Sequence, residues 1–318
     1  MHPVAAILDT LVLYRYSLVL ALAGAAGVCF FMACCVYVGI PSGKAAAVAL
    51  TAVVLSLPLA RLVYWYGRPD SFPSLARALT SPSTDSFALT GAFAGCILAG
   101  IFAGRGETRK KILDCMSIAG CGTIGLGRLG CFFTEAGRGQ ILVRLTGLPW
   151  AYPVANASGQ MEYRFAAFLF QAVAAALLGI ILTRIFLRKK TAPGEVSLLF
   201  ILIYCASQVL LDSTRYDSLY LRSNGFISIV QVLSAVALVG VLILLCVRTV
   251  KVLGFQQWMI PVWISMAVLL GIAGYMEYYV QRHGREAAFS YSIMGVCLAV
   301  LVVLGMVLQR LSQPDVTE

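Results

Sequence analysis

The segment 127–139 combines a guanidinium, a carboxylate and several glycines directly after a hydrophobic run long enough to enter a bilayer. Charged side chains are costly to place at a membrane, so they indicate a functional role. The Arg128 guanidinium stays charged in a low dielectric and pairs bidentately with phosphate. Glycines allow the backbone to approach a ligand closely. We therefore predict a lipid-headgroup site around Arg128, the alternative being an arginine that merely extends to the interface.

Two further arginines fall at predicted ends of hydrophobic runs. Arg215 follows Asp212 by three residues, so in a helix the two side chains share one face. That spacing fits a structural salt bridge as well as a contact with phosphate. Arg61 lies near the end of the second hydrophobic run, where it can support the structure, by pairing with Asp212 or Glu162, or contact a headgroup.

The composition places these residues in a membrane protein. Of the 318 residues, 60% are hydrophobic and 12% are charged, and the mean hydropathy is +0.88. Soluble domains carry about 25% charged residues, and about 20 apolar residues in a helix cross a hydrocarbon core of roughly 30 Å. We predict an all-α polytopic integral membrane protein with about nine transmembrane helices. The expected spans are 17–38, 46–66, 87–104, 112–127, 165–187, 197–211, 226–247, 258–277 and 288–309.

The basic residues predict the orientation of these spans. Lysines and arginines cluster in alternate loops, around Lys44, 105–111, 184–190 and 248–251. By the positive-inside rule those loops are cytoplasmic, so the segments 128–164 and 212–225 face the outside. The net charge of +10 lies largely in short loops beside anionic headgroups, which favours membrane lipids over nucleic acid as the partner.

The sequence divides into two parts of different character. Residues 1–250 carry all the polar, glycine-punctuated motifs, whereas 251–318 hold two spans with little embedded polarity. We therefore predict a membrane core of seven helices followed by an accessory C-terminal helix pair. The ten cysteines lie mostly within spans and lack ligand spacing with a histidine, so no metal is expected.

Six segments, taken in order, resemble motifs of the prolipoprotein diacylglyceryl transferase family. They are YRYSL at 14–18, ARLVY at 60–64, TGAFAG at 90–95, GRLGCFFTEAGRG at 127–139, LDSTRYD at 211–217 and SIVQVLS at 228–234. The resemblance implies that the core, 1–250, has this transferase fold. It also implies transfer of the diacylglyceryl group of phosphatidylglycerol to the lipobox cysteine thiol of a prolipoprotein signal peptide. The reaction would take place at the outer leaflet of the bacterial inner membrane.

The resemblance also assigns roles to residues. Glycerol phosphate leaves in the family reaction, and because the substrate itself supplies this leaving group, no cofactor is expected. The residues assigned to catalysis are Arg128, Glu135 and Arg215. The residues assigned to substrate binding are Tyr16, Arg61, Thr90, Gly91, Gly130, Cys131 and Gly139. Tyr16 equally fits an interfacial tyrosine, and helix packing alone explains Gly91.

The chain departs from the family pattern at four positions. Thr90 replaces a histidine, Cys131 an asparagine and Gln208 an arginine, and the family's glutamate falls on Ala136, one residue after Glu135. In one interpretation Glu135 supplies the displaced carboxylate and the enzyme works with altered donors.

In the alternative interpretation the chain is a divergent paralogue that binds lipid, or another acceptor, without the standard reaction. A non-enzymatic transporter is a further alternative. It would show inverted repeats and broken helices around a midplane site, whereas the charged residues of this chain lie at the outer ends of spans.

Overall fold

Long apolar helices make up most of the protein in the computed structural model. The structure describes residues 14–81, 87–134, 136–142, 150–155, 158–188, 191–221, 224–283 and 287–313. The helices are α1 (Arg15–Tyr37), α2 (Ser42–Gly67), α3 (Leu75–Thr80), α4 (Leu89–Phe102), α5 (Gly106–Leu129), α6 (Ala167–Leu187), α7 (Glu195–Ser213), α8 (Ile229–Leu253), α9 (Met259–His283) and α10 (Ala287–Leu311). The all-α polytopic class predicted from the sequence is confirmed.

Eight of these helices are long and apolar enough to cross a membrane, and α4 is a shorter apolar helix. It corresponds to the predicted span 87–104. Its 14 residues rise about 21 Å, less than a hydrocarbon core of roughly 30 Å. The chain beyond α4 nevertheless reaches the end of the molecule where α2 begins, because Gly104 lies beside the Lys44 ammonium.

Glycines hold α4 tightly against α2. A Cβ on Gly91 would lie 2.2 Å from the carbonyl oxygen of Leu59, and one on Gly95 would lie 2.5 Å from the Cα of Ser56. Only glycine allows two helix backbones to approach this closely, as is common between transmembrane helices. Gly91 is therefore buried in a helix–helix contact.

Two short antiparallel ribbons interrupt the helices at one end of the molecule. The first ribbon pairs β1 (Ala151–Ala155) with β2 (Met161–Phe165), and the second pairs β3 (Tyr220–Leu221) with β4 (Asn224–Ser228). We call this end, formed by the described residues of 130–142, 150–166 and 214–228, the site end. The opposite end carries Lys44, Lys111 and Arg248, and we call it the basic end.

The C-terminal helices α9 and α10 pack on each other, and α10 also packs against α7 and α8. At the basic end, the Gln309 Nε2 donates to the backbone oxygen of Glu195 at 2.9 Å and to its carboxylate at 2.8 Å. Arg248 pairs with the same carboxylate at 2.7 Å. The division into a core and an accessory pair stays a prediction, but the pair is joined to the core through buried polar contacts.

Candidate functional site

The site end is built on the chain that leaves α5. A 3-10 turn, Gly130–Phe133, continues α5, and the chain then runs alongside β2. Gly139 N donates to the Phe165 carbonyl at 2.7 Å, and Phe165 N donates to the Gln140 carbonyl at 3.0 Å. Through these bonds the segment 139–142 lies alongside β2 without forming a regular strand. The segment lies against the end of α7.

Arg215 is bound by two carboxylates at the end of α7. Its Nε and Nη2 lie 3.1 and 3.0 Å from Oδ1 of Asp217, and its Nη1 lies 3.3 Å from Oδ1 of Asp212. Burial lowers the pKa of the Arg215 guanidinium, but the charges of Asp217 and Asp212 outweigh burial and raise it overall. The Asp212 carboxylate is buried and also accepts a hydrogen bond from the Ser228 hydroxyl. Arg215 is therefore permanently charged, and its donors are engaged within the protein.

The same ion pairs hold the loop from α5 in place. The second oxygen of the Asp217 carboxylate accepts from the Gly137 amide at 2.8 Å. Gly137 has φ +76°, a left-handed conformation that favours glycine. A Cβ on Gly139 would lie 2.8 Å from the Thr214 carbonyl oxygen and 2.9 Å from the Phe165 Cβ. The two glycines thus allow the loop to lie directly on the end of α7.

Arg128 lies in a different environment from Arg215. It occupies the last turn of α5, and its Nε is buried without a hydrogen-bond partner. No carboxylate among the described residues forms an ion pair with it. Its side chain lies beside the buried thiol of Cys131, which also interacts with the charge of Arg215. The buried ring of Tyr204 on α7 lies within the field of Arg128. Arg128 also makes a side-chain hydrogen bond with Cys131, so its remaining donors are the ones available to an anion.

The structure brings several of the predicted substrate-binding residues to this place. A Cβ on Gly130 would lie 3.3 Å from the Tyr16 ring, and Tyr16 packs in one apolar cluster with Cys131 and Phe168. Tyr16, Gly130 and Cys131 therefore adjoin Arg128. Gly139 belongs to the neighbouring loop. Glu135, one of the predicted catalytic residues, lies outside the described residues.

Other predicted residues lie on the neighbouring helices α2 and α4. The Thr90 hydroxyl oxygen on α4 is buried without a hydrogen-bond partner. Arg61 on α2 is buried, donates to the Ser81 carbonyl at 3.0 Å and lies 4.2 Å from the centre of the Phe87 ring. These contacts of Arg61 connect α2 to the chain that joins α3 and α4. Gly91 faces the backbone of α2.

Sequence reasoning did not single out several residues that shape this region. Tyr204 is one, because an apolar run does not indicate that an aromatic ring lies within the field of Arg128. Ser228 is another, although its position three residues before Gln231 is the pattern of a capping box, which the structure contains. Arg138 is a third. It is buried, its Nη2 donates to the Thr134 carbonyl at 2.6 Å, and it lies 4.4 Å from the centre of the Tyr152 ring.

Within the described part of the chain, no group of three or more histidine, cysteine or carboxylate residues is arranged to hold a metal ion.

A family model described as prolipoprotein diacylglyceryl transferase matches residues 3–247. A search of curated proteins found no match. The matched region includes Arg128 and the ion pairs of Arg215, and it ends inside α8. Helices α9 and α10 therefore lie beyond it.

Proposed function

Because this chain belongs to the prolipoprotein diacylglyceryl transferase family, we propose that it transfers the diacylglyceryl group of phosphatidylglycerol to the lipobox cysteine of a prolipoprotein. One observation carries the proposal: Arg128 is a guanidinium with a buried, unpartnered Nε and no carboxylate partner in the described chain. The residue is half-buried, and a cation partly removed from water is costly without a counterion. A phosphate group that binds there replaces the lost hydration with charge-assisted hydrogen bonds.

The reaction needs only the two substrates and groups on the protein. The thiolate sulfur of the lipobox cysteine attacks the glyceryl carbon that carries the phosphate ester. A carbon–sulfur bond forms, the carbon–oxygen bond breaks, and the electron pair leaves with the oxygen of glycerol phosphate. The thiol, with an ordinary pKa of about 8.5, loses its proton to a base, and we propose Glu135 for that role. Arg128 stabilises the charge that develops on the leaving phosphate.

We propose that Arg215 acts mainly by its position and its charge. Its donors are bound to Asp212 and Asp217, which fix the loop carrying Gly137 and Gly139. The loop in turn follows the turn that holds Cys131 beside Arg128. Tyr16, which packs on Gly130, adjoins the same place and is proposed to contact the glycerol part of the lipid.

We propose that the site end faces the outer leaflet of the bacterial inner membrane. Lysines and arginines cluster in the loops of the basic end, which the positive-inside rule places in the cytoplasm. A prolipoprotein signal peptide would then present its lipobox cysteine at the outer surface, next to the headgroup of phosphatidylglycerol.

Complementation tests the proposal. A bacterial strain depleted of its own transferase is supplied with this chain, and a lipobox peptide from a reporter lipoprotein is analysed by mass spectrometry. We expect growth and a mass increase of one diacylglyceryl group. Arg77→Ala, which changes an exposed arginine on α3, serves as the control and should keep activity. Robust expression without the mass increase would contradict the transferase assignment.

A second candidate function is lipid binding without the transfer reaction. The observation that favours it is the buried pair of neutral amides where the family carries an arginine. Gln208 is 3% exposed, and its side-chain oxygen accepts from Gln171 at 3.3 Å. Saturable binding of phosphatidylglycerol by the purified protein, with no product from a lipobox peptide, would select this function.

A further inference from the structure

The C-terminal helix α9 places a carboxylate against the ends of α7 and α8. Glu277 accepts from the Ser213 hydroxyl at 2.5 Å through one oxygen and from the Gln231 amide at 3.0 Å through the other. The residue is half-buried and lies in a helix apolar enough to span a membrane. A carboxylate in such a helix is costly unless it is bound by donors. These two donors, together with the Gln281 amide on the same helix at 2.9 Å, satisfy both of its oxygens.

Both partners of Glu277 connect it to Asp212. Ser213 is the next residue in the chain and ends α7. Gln231 forms a capping box with Ser228, and the Ser228 hydroxyl donates to the Asp212 carboxylate. Glu277 therefore connects to the partner of Arg215 along two independent routes.

A second residue of the C-terminal pair, Tyr291 on α10, makes a related connection. Its hydroxyl donates to the Ser213 carbonyl at 3.1 Å and accepts from the Gln140 side chain at 3.4 Å. Gln140 lies in the segment that pairs with β2, directly after Gly139. Tyr291 thus joins the end of α7 to the loop that follows Arg128.

The charges of this region form one cluster. The Tyr220 hydroxyl interacts with Asp212, Asp217, Arg215 and Glu277 together. Burial and these carboxylates raise its pKa, with Arg215 acting in the opposite direction. Glu277 therefore belongs electrostatically to the ion pairs of the site, although it lies about 60 residues further along the chain.

We infer that Glu277 and Tyr291 are positioning residues of the site, and that the C-terminal helix pair holds the Asp212–Arg215 ion pair in register with the loop after Arg128. The effect of the C-terminal helix pair on turnover rests on the proposed transferase function. The C-terminal helix pair does not need these contacts to stay attached to the core, because Gln309 hydrogen-bonds Glu195 at the basic end. The matched family region ends at residue 247, before both residues.

Hydrogen exchange on the full-length protein in detergent tests the inference without any activity. The amides of Arg215 and Tyr216 donate to the carbonyls of Asp212 and Arg138 at 3.1 and 2.9 Å. In Glu277→Ala we expect exchange over residues 214–218 to become about tenfold faster, because two charge-assisted hydrogen bonds are lost. Tyr291→Phe should change it in the same direction but less. Gln309→Ala, the matched control at the basic end, should leave exchange at the site end unchanged.

Steady-state kinetics forms the second arm. Glu277→Ala should lower kcat about tenfold with little change in KM for phosphatidylglycerol, because Arg128 keeps its own surroundings. Glu277→Gln keeps one acceptor and should fall between wild type and Glu277→Ala, and Gln309→Ala should keep kcat. Unchanged exchange over 214–218 in Glu277→Ala would overturn the inference. Full kcat despite faster exchange would overturn it as well. If the wild type shows no transfer, the proposed function fails and the exchange result alone decides the inference.

Discussion

Two arginines at the site end differ in what binds them. Arg215 has carboxylate oxygens of Asp212 and Asp217 within 3.3 Å of its nitrogens. Arg128 has no carboxylate partner within the described chain, and its Nε is buried without a hydrogen bond. The first arginine is suited to hold structure and the second to receive an anion. In the sequence, the acid three residues before Arg215 is the feature that separates the two.

The role of Arg128 gives the first prediction. Arg128→Ala should lower kcat/KM for diacylglyceryl transfer by about 100-fold or more, because it removes the donor that we propose to stabilise the leaving phosphate. Arg128→Lys keeps the charge but loses the bidentate geometry, so its activity should lie between the two. Transfer to a lipobox peptide by purified protein measures the effect, with Arg77→Ala as the control. Wild-type activity in Arg128→Ala would remove the residue from the mechanism.

The second prediction concerns the loop that lies on the end of α7. Gly139→Ala should lower the free energy of unfolding by about 1–3 kcal/mol, because the added methyl group overlaps packed atoms of the neighbouring chain. The affected atoms are the Thr214 carbonyl oxygen and the Phe165 side chain. Thermal unfolding in detergent measures the loss. Gly240→Ala is the matched control, since no atom lies within 4 Å of its added Cβ. Equal stability of the two variants would refute the packing role.

Among the individual residues, the sequence predicted part of the site. The three-residue spacing of Asp212 and Arg215 indicated an ion pair, and the structure shows one at 3.3 Å. The link from Asp212 to Ser228 could not be predicted, because it joins the end of one helix to the start of the next across a loop. Glu277 could not be predicted either, since nothing in its apolar surroundings indicates which distant donors it meets.

The helix ends show which caps can be predicted from neighbouring residues and which depend on residues distant in the sequence. The start of α8 is capped by its own Ser228 and Gln231, a pattern readable in sequence. The start of α7 is capped from another helix. The Asp114 carboxylate accepts from the amides of Gly194 at 2.6 Å and Ser197 at 2.7 Å. No sequence pattern links a residue of α5 to the first turn of α7.

Removal of this cap is the third prediction. Asp114→Ala should lower the free energy of unfolding by about 1–2 kcal/mol, because two amides at the start of α7 lose their acceptor. Asp114→Asn keeps one oxygen and should cost less. Asp70→Ala, at an exposed acidic residue outside the long helices, should change stability by less than about 0.5 kcal/mol. Chemical unfolding in mixed micelles measures all three, and an Asp114→Ala variant as stable as Asp70→Ala would exclude the capping role.

The short elements were the hardest to predict. The sequence indicated long helices because their apolar runs are continuous, but it did not indicate the ribbons β1–β2 and β3–β4. Each strand has five residues or fewer, too few for an alternating pattern to stand out. The backbone bonds that the loop from α5 makes with β2 join residues distant in sequence, which no local pattern indicates.

For the molecule as a whole, hydropathy predicted the architecture well. A membrane-spanning segment must satisfy its backbone hydrogen bonds internally, so long apolar runs form helices. Eight described helices meet that requirement, and the remaining predicted span is the shorter α4. What hydropathy did not predict is the attachment of the C-terminal pair, which depends on a few polar side chains at both of its ends.

The fourth prediction concerns the orientation of the whole molecule. In intact cells a membrane-impermeant thiol reagent should label Ser158→Cys, at the site end, and should not label Lys251→Cys, at the basic end. The reason is that the basic loops stay in the cytoplasm. Labelling of both variants in permeabilised cells provides the control. The reverse pattern would place the site end in the cytoplasm.

The central claim is that this protein carries out diacylglyceryl transfer at the site around Arg128. The most direct measurement uses the purified full-length chain in phosphatidylglycerol vesicles with a synthetic lipobox peptide, followed by mass spectrometry of the peptide. We predict that the wild type adds one diacylglyceryl group to the cysteine and releases glycerol phosphate, and that Arg128→Ala yields no comparable product. An unmodified peptide with folded wild-type protein would contradict the claim.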